Sequence, residues 1–411
     1  MDAGRLAVLD ALREPRYRQL WLAGLCINTA RWMDFLVLGW LALELTDSPF
    51  MVGVAAFCRA APMMALGPFA GLVADRLDRG RVMIGVQLLN LAAATALLLL
   101  FGTGRGGFAI LVLLEFLLGA AWAIDFPARR TVVYTLVGPG RLTNAISLDS
   151  VSMQGTKILG PIAGGVLLAR LGATGCYAAL ALVYLVALAL MLRLTRRVAL
   201  PGGGGAESLG AGLAAGLREV RAQPMIRAVL LITVLMNALV FPYQHILSVF
   251  ARDVLAVGPE GLGLLVSSEG LGALLGSLVI AGWRSFAHHG SVFAAGSFAA
   301  ATLVVAFALS PSYGLALPLQ FAIGVGEAGF GTMQSTIVLL AAPERLRGRV
   351  MGILSACIGT QPIGALWIGF FASQVGAPWA AATGAAAAAL LMLPVASRLV
   401  TRAAPPVGPG R

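Results

Sequence analysis

A chain of 411 residues that is 59% hydrophobic and only 11% charged, with a mean hydropathy of +0.89, lacks the polar side chains to cover a water-soluble globule of its size. The formal charge of +11 does not make it a nucleic-acid binder, because its basic residues are scattered between apolar segments rather than gathered on one solvated face with stacking aromatics. The solvent that suits such a surface is lipid, and the 51 glycines agree, since small residues let membrane helices approach closely.

A bilayer core needs about 20 apolar residues per helix and leaves no backbone group unpaired. The N-terminus is polar and basic and has no signal-peptide cleavage pattern, so the first span is expected to stay. Spans are then predicted, in chain order, at 20–45, 50–74, 82–101, 108–126, 142–169 and 174–192. After a gap they resume at 226–250, 261–283, 291–309, 313–341, 350–373 and 378–400. The gap holds Pro201, a run of four glycines, and a weakly amphipathic segment ending in Arg218, Glu219 and Arg221. It reads as a flexible linker with a short surface helix. The expected fold is all-α and membrane-integral, with twelve transmembrane helices in two pseudo-symmetric six-helix bundles, 1–193 and 226–411, joined by the linker 194–225.

Ionisable groups inside spans are costly and are functional candidates by default. In the first span Arg31 and Asp34 share a face at i, i+3 and can pair locally. Arg59 follows in the second span, Glu115 in the fourth, Asp149 and Lys157 in the fifth, Glu269 in the eighth and Glu327 in the tenth. Asp34, Glu115, Asp149, Lys157, Glu269 and Glu327 are therefore candidates for proton coupling. For Asp34 and Glu115 a permanent ion pair with Arg31 or Lys157 is the open alternative; for Glu269 and Glu327 it is a structural acid facing the bundle, or contact with a cationic substrate. Arg31, Trp32, Phe35, Arg59, Tyr243 and His245 are candidates to line a substrate cavity, with ordinary helix packing as the alternative for the aromatic residues and His245. Cys26, Cys58, Cys176 and Cys357 lie far apart in apolar stretches and read as inert packing residues. An enzyme would need a nucleophile with a base, or a metal cluster. The only adjacent histidines, His288 and His289, fall in a loop without nearby carboxylates, so no catalytic residue, metal or cofactor is expected.

Arginines set the orientation, since positively charged loops stay in the cytoplasm. One set of loops holds Arg76, Arg79 and Arg81, then Arg129, Arg130 and Arg141, then Arg193, Arg196 and Arg197, then Arg345, Arg347 and Arg349. The opposite loops offer only Arg105, Arg170 and Arg252. Both termini are expected in the cytoplasm. Sliding the chain on itself by about 204 positions aligns Pro139, Arg141, Gly155, Thr156, Gly160, Gly165 and Gly172 with Pro343, Arg345, Gly359, Thr360, Gly364, Gly369 and Gly376. Parallel six-helix repeats with a substrate site near the midplane are one established transporter plan.

Gly71, Asp75, Arg76 and Arg79, at the end of the second span, match G-x-x-x-D-R-x-x-R, with Asp78 where that pattern usually has glycine. Gly160, Pro161, Gly164 and Gly165 form a G-P-x-x-G-G segment in the fifth span. Together with Asp125, Arg129 and Arg130 after the fourth span, these residues make the chain resemble the major facilitator superfamily, and within it the drug-efflux antiporter branch that includes enterobactin exporters and macrolide-efflux proteins. The resemblance implies proton-driven export of a siderophore, antibiotic or other bulky amphiphile across the bacterial cytoplasmic (inner) membrane by alternating access, with import of a nutrient or lipid-like substrate as the alternative. It implies a monomer whose partners are a small-molecule substrate, protons and the lipid bilayer. Gly71, Asp75, Arg76, Arg79, Asp125 and Arg129 are the implied cytoplasmic gate. One departure stands out: that branch carries R-x-x-Q-G in the fourth span, where this chain has Glu115, Leu118 and Gly119, so the usual arginine is replaced by an acid.

Overall fold

The computed structural model describes residues 10–76, 78–195, 217–282, 289–343 and 346–400. Among them there is no strand. A 3-10 turn at Asp10–Arg13 precedes α1 (Pro15–Thr46), α2 (Pro49–Arg76), α3 (Arg79–Gly102) and α4 (Phe108–Thr195). Then come α5 (Pro224–Val254), α6 (Pro259–Gly282), α7 (His289–Ala308), α8 (Tyr313–Ala341), α9 (Arg347–Ile358), α10 (Gln361–Val375) and α11 (Ala377–Val400). Eight helices among the described residues are long and apolar enough to cross a membrane. One of the eight, Asn144–Thr195 within α4, covers the fifth and sixth expected spans, and the first, second and tenth fall on α1, α2 and α8, which carry Arg31 and Asp34, Arg59 and Glu327.

Local chemistry explains where the helices break. α4 covers three expected spans, and the stretch between the fourth and fifth is itself helical; the turns come at Gly138 (φ 68°) and Gly172 (φ 64°), in the left-handed region that favours glycine. The expected eleventh span is two helices, α9 and α10, parted at Gly359 and Thr360. Pro362 has no N–H to continue the ladder across that point. The seventh span is the most irregular. After Pro224–Leu235 it passes through a π turn at Met236–Val240, 3-10 turns at Phe241–Ile246, one short α turn and a second π turn at Phe250–Val254. Pro242 sits inside this break and removes a backbone donor from it.

Asp78 explains its own departure from the loop pattern. Its carboxylate accepts a hydrogen bond of 2.8 Å from the Arg81 backbone N–H and caps α3, a role no glycine side chain can fill. Arg196, Arg197, His288, Arg345 and most of the expected linker lie outside the described residues; residues 217–222 are helical. His289 is the first residue of α7 rather than part of a loop.

The chain forms two compact units, 1–206 with 245–267 and 207–244 with 268–411. In the first, the start of α1 lies along the residues after Gly138. Tyr17 donates to the Ala145 carbonyl (2.9 Å), Trp21 to that of Leu148 (3.2 Å), and Asn144 Oδ1 accepts from the Ala11 N–H (2.9 Å). At the opposite end of α1, Arg252 pairs with Asp47 and Asp253, and Arg170 with Glu260 at 3.1 Å. In the second unit Phe330 packs between Phe293 and Phe241, Gln334 donates to Thr233 Oγ1 at 2.7 Å, and Trp367 donates to the Ala238 carbonyl.

The repeat is visible inside each unit. A Cβ on Gly160 would lie 2.9 Å from the Thr29 carbonyl oxygen, and one on Gly364 would lie 3.0 Å from that of Ala238. The fifth span thus touches the first as the eleventh touches the seventh, and Gly172 and Gly376 turn the chain with positive φ in both copies.

Candidate functional site

Two buried polar clusters occupy equivalent places in the two units. In the first, Arg59 Nη1 donates to Asp34 Oδ2 and to Glu115 Oε2, so one guanidinium from α2 holds carboxylates from α1 and α4. Both acids are fully buried. Among the described residues their second oxygens, Asp34 Oδ1 and Glu115 Oε1, have no hydrogen-bond partner. The helices can come this close because Gly119, one turn after Glu115, has no side chain; a Cβ there would lie 1.9 Å from the Arg59 carbonyl oxygen. With both acids ionised the trio carries one net negative charge. Tyr177 and Tyr184, seven residues apart on the sixth-span stretch of α4, interact electrostatically with these groups.

The second cluster centres on Glu269 of α6. Its Oε2 accepts from the Tyr243 hydroxyl at 2.9 Å and its Oε1 from Gln244 Nε2 at 2.6 Å. The Gln320 side-chain amide lies 2.8 Å from the same hydroxyl. Glu327 is within electrostatic reach of Tyr243. Again a glycine fixes the approach: a Cβ on Gly324 would lie 2.0 Å from the Glu269 carbonyl oxygen. Gly119 touches residue 59 as Gly324 touches residue 269, and Glu115 and Gln320 each stand four residues before their glycine. The equivalent positions hold a base in one unit and an acid in the other.

Beside the first cluster runs a strip of aromatic and cationic groups. The Arg31 guanidinium carbon lies 3.9 Å from the Trp122 ring centroid and 5.8 Å from that of Trp32. Lys157 Nζ lies 5.5 Å from the same Trp32 ring. Trp32 meets Phe35 edge-on at 5.8 Å, and Phe35 meets His245 at 5.5 Å. The local Arg31–Asp34 pair is not formed: Asp34 binds Arg59 instead, and Arg31 turns to the tryptophans. Asp149 Oδ1 lies 3.2 Å from the Tyr17 hydroxyl.

The G-P-x-x-G-G segment serves two contacts. Gly160 and Gly164 face α1 at Trp32 and Met33, while Gly165 faces Pro259 and the Pro161 carbonyl faces Gly263. Any larger side chain at these glycines would separate the helices. Of the loop pattern, Gly71, Asp75 and Arg76 lie on the described backbone of α2, but their side chains fall outside the described residues. Asp125 is paired with Arg129 at 3.0 Å on its own helix. Trp122, Tyr177, Tyr184 and Gln320 were missed by sequence reasoning. The i, i+7 spacing of the two tyrosines was the available signal for that pair.

Comparison with known proteins agrees with this architecture. The chain is 27% identical over 366 residues to the multidrug efflux pump Tap of Mycolicibacterium fortuitum, covering 86% of this chain and 88% of that protein. It is 24% identical over 250 residues to the staphyloferrin A transporter of Staphylococcus aureus, spanning 61% of this chain and 62% of the relative's length. Among solved structures, a bacterial homolog of the human lysosomal transporter Spinster superposes with a TM-score of 0.70 at 17% identity, covering 94% of this chain and 96% of that one. A POT family transporter bound to a peptide conjugate gives 0.74 at 12% identity, with coverage of 94% and 96%; at such identities the likeness shows the fold alone. The model of the transmembrane secretion effector family matches residues 6–405, so the chain belongs to that family and is a membrane transporter of the major facilitator superfamily.

Proposed function

We propose that the chain exports a bulky organic molecule, of the siderophore or antibiotic kind, in exchange for protons. The observation that carries this reading is the sharing of Arg59 by Asp34 and Glu115 from three different spans. A buried carboxylate is tolerable either when paired with a cation or when neutral. Proton arrival at one acid therefore releases its hold on Arg59, and the guanidinium stays with the other. Because the partners belong to different helices, the exchange of a proton changes which helices are tied together. Tap and the staphyloferrin A transporter, by their names an efflux pump and a siderophore transporter, support an organic substrate. Glu269, with its tyrosine and glutamine partners, is the corresponding proton or ligand site of the second unit.

In this reading the halves 1–193 and 226–411 give alternating access, and the linker 194–225 joins them. The arginine-rich loops support cytoplasmic termini in a bacterial inner membrane. Gly71, Asp75, Arg76, Arg79, Asp125 and Arg129 form the cytoplasmic latch, and the protein acts as a monomer.

Inverted membrane vesicles from an efflux-deficient host test the proposal with radiolabelled siderophores and antibiotics. Acidifying the lumen should drive at least one compound inward, and a protonophore should collapse the gradient and stop it. Accumulation of the compound by intact cells instead would reverse the direction. Full pH-driven uptake in both Asp34→Asn and Glu115→Gln would remove these acids from coupling.

A further inference from the structure

We infer that the substrate is an organic anion with a flat unsaturated face, held through its acidic group by Arg31; the inference rests on the exporter reading and narrows it. Arg31 lies at the middle of α1, where a guanidinium is expensive to place and is normally matched by a carboxylate or drawn to the interface. Neither occurs. Among the described residues it makes no hydrogen bond and no ion pair, and its Nη1 is buried without a partner. The acid one turn away, Asp34, is engaged by Arg59.

What holds Arg31 is the face of Trp122, with the Trp32 ring also within reach at 5.8 Å. A cation–π contact steadies the charge but uses none of the five N–H donors. The side chain is thus fixed in orientation with its fork unspent, the arrangement that receives a carboxylate or similar oxyanion through two parallel hydrogen bonds. Lys157 brings a second positive charge to the same indole. Asp34 and Glu115 of the neighbouring trio are both engaged by Arg59.

The remainder of the strip suits the rest of such a molecule. Trp32 and Phe35 offer apolar faces one turn apart. Beyond them both ring nitrogens of His245 lack a partner among the described residues, giving one donor and one acceptor for a further polar group.

Equilibrium binding of tritiated 2-naphthoate to the full chain in lipid nanodiscs tests the assignment, with 2-naphthamide and a quaternary 2-naphthylammonium as competitors. The acid should bind at least about tenfold more tightly than the amide, a difference of about 1.4 kcal/mol. That preference should vanish in Arg31→Gln and survive in part in Arg31→Lys. No binding of 2-naphthoate, equal competition by the amide, tighter binding of the ammonium, or an undiminished preference in Arg31→Gln would each overturn it. The wild-type comparison needs no variant to fold. Should these arms fail while the vesicles still show pH-driven export, the anion assignment falls and the exporter stands. Should the anion preference hold without pH-driven export, it is the coupling that falls.

Discussion

Replacing Arg59 by glutamine removes the one cation that two buried carboxylates share, while keeping a side chain of similar reach and some hydrogen-bonding capacity. At an effective dielectric near 20, two unit charges about 4 Å apart attract by about 4 kcal/mol. Arg59→Gln forfeits two such attractions and leaves the Asp34 and Glu115 charges to repel each other. Relaxation and protonation recover part of this, so the expected loss is on the order of 3–5 kcal/mol, the range for breaking a buried ion pair from one side. Thermal unfolding of the purified chain in detergent should show a midpoint lower by roughly 5 °C or more. Combining Arg59→Gln with Asp34→Asn and Glu115→Gln removes the unpaired charges and should restore most of the midpoint, though not transport. Acidification should likewise narrow the gap between Arg59→Gln and wild type, because neutral carboxyls need no cation. A variant as stable as wild type, or a triple variant no better than Arg59→Gln alone, would refute the shared-guanidinium account.

Gly119→Ala and Gly324→Ala should destabilise to similar extents, each by about 1–3 kcal/mol for overpacking, since the added carbon would fall 1.9 Å and 2.0 Å from a carbonyl oxygen. Gly155→Ala, with nothing within 4 Å, is the control, and unequal midpoints for the first two would speak against equivalent contacts. Tyr243→Phe removes the donor to Glu269 and should cost about 1–3 kcal/mol, the range for a buried acceptor left unsatisfied. An unchanged unfolding midpoint in that variant would mean that the remaining partners of Glu269, Gln244 among them, suffice.

Apolar length made the helices legible, because lipid demands it of every span. Their breaks were harder to read. Pro242 was visible as a residue, but whether a proline bends a membrane helix gently or opens several π and 3-10 turns depends on the neighbours that satisfy the freed backbone. Intramembrane charge marked Asp34, Arg59, Glu115 and Glu269 as individuals. Their grouping was not legible, since spacing along one helix suggested Arg31 for Asp34, while the partner came from α2 through a contact set by Gly119. The Glu115 departure was a clue in retrospect: the cation absent from the fourth span stands on the second, against the same glycine. Arg31 illustrates the converse, with Trp122 ninety-one positions away supplying a partner no periodicity could indicate.

Of the three points at which the chain passes between its compact units, Gln244–His245 and Ser267–Ser268 lie among the described residues, and their backbones differ. The second lies within the unbroken α6, whose continuous i→i+4 ladder resists twist and bending. The first lies in the broken part of α5, where π and 3-10 turns replace that ladder between residues 224–235 and 250–254. One crossing thus keeps an unbroken helical ladder and the other interrupts it.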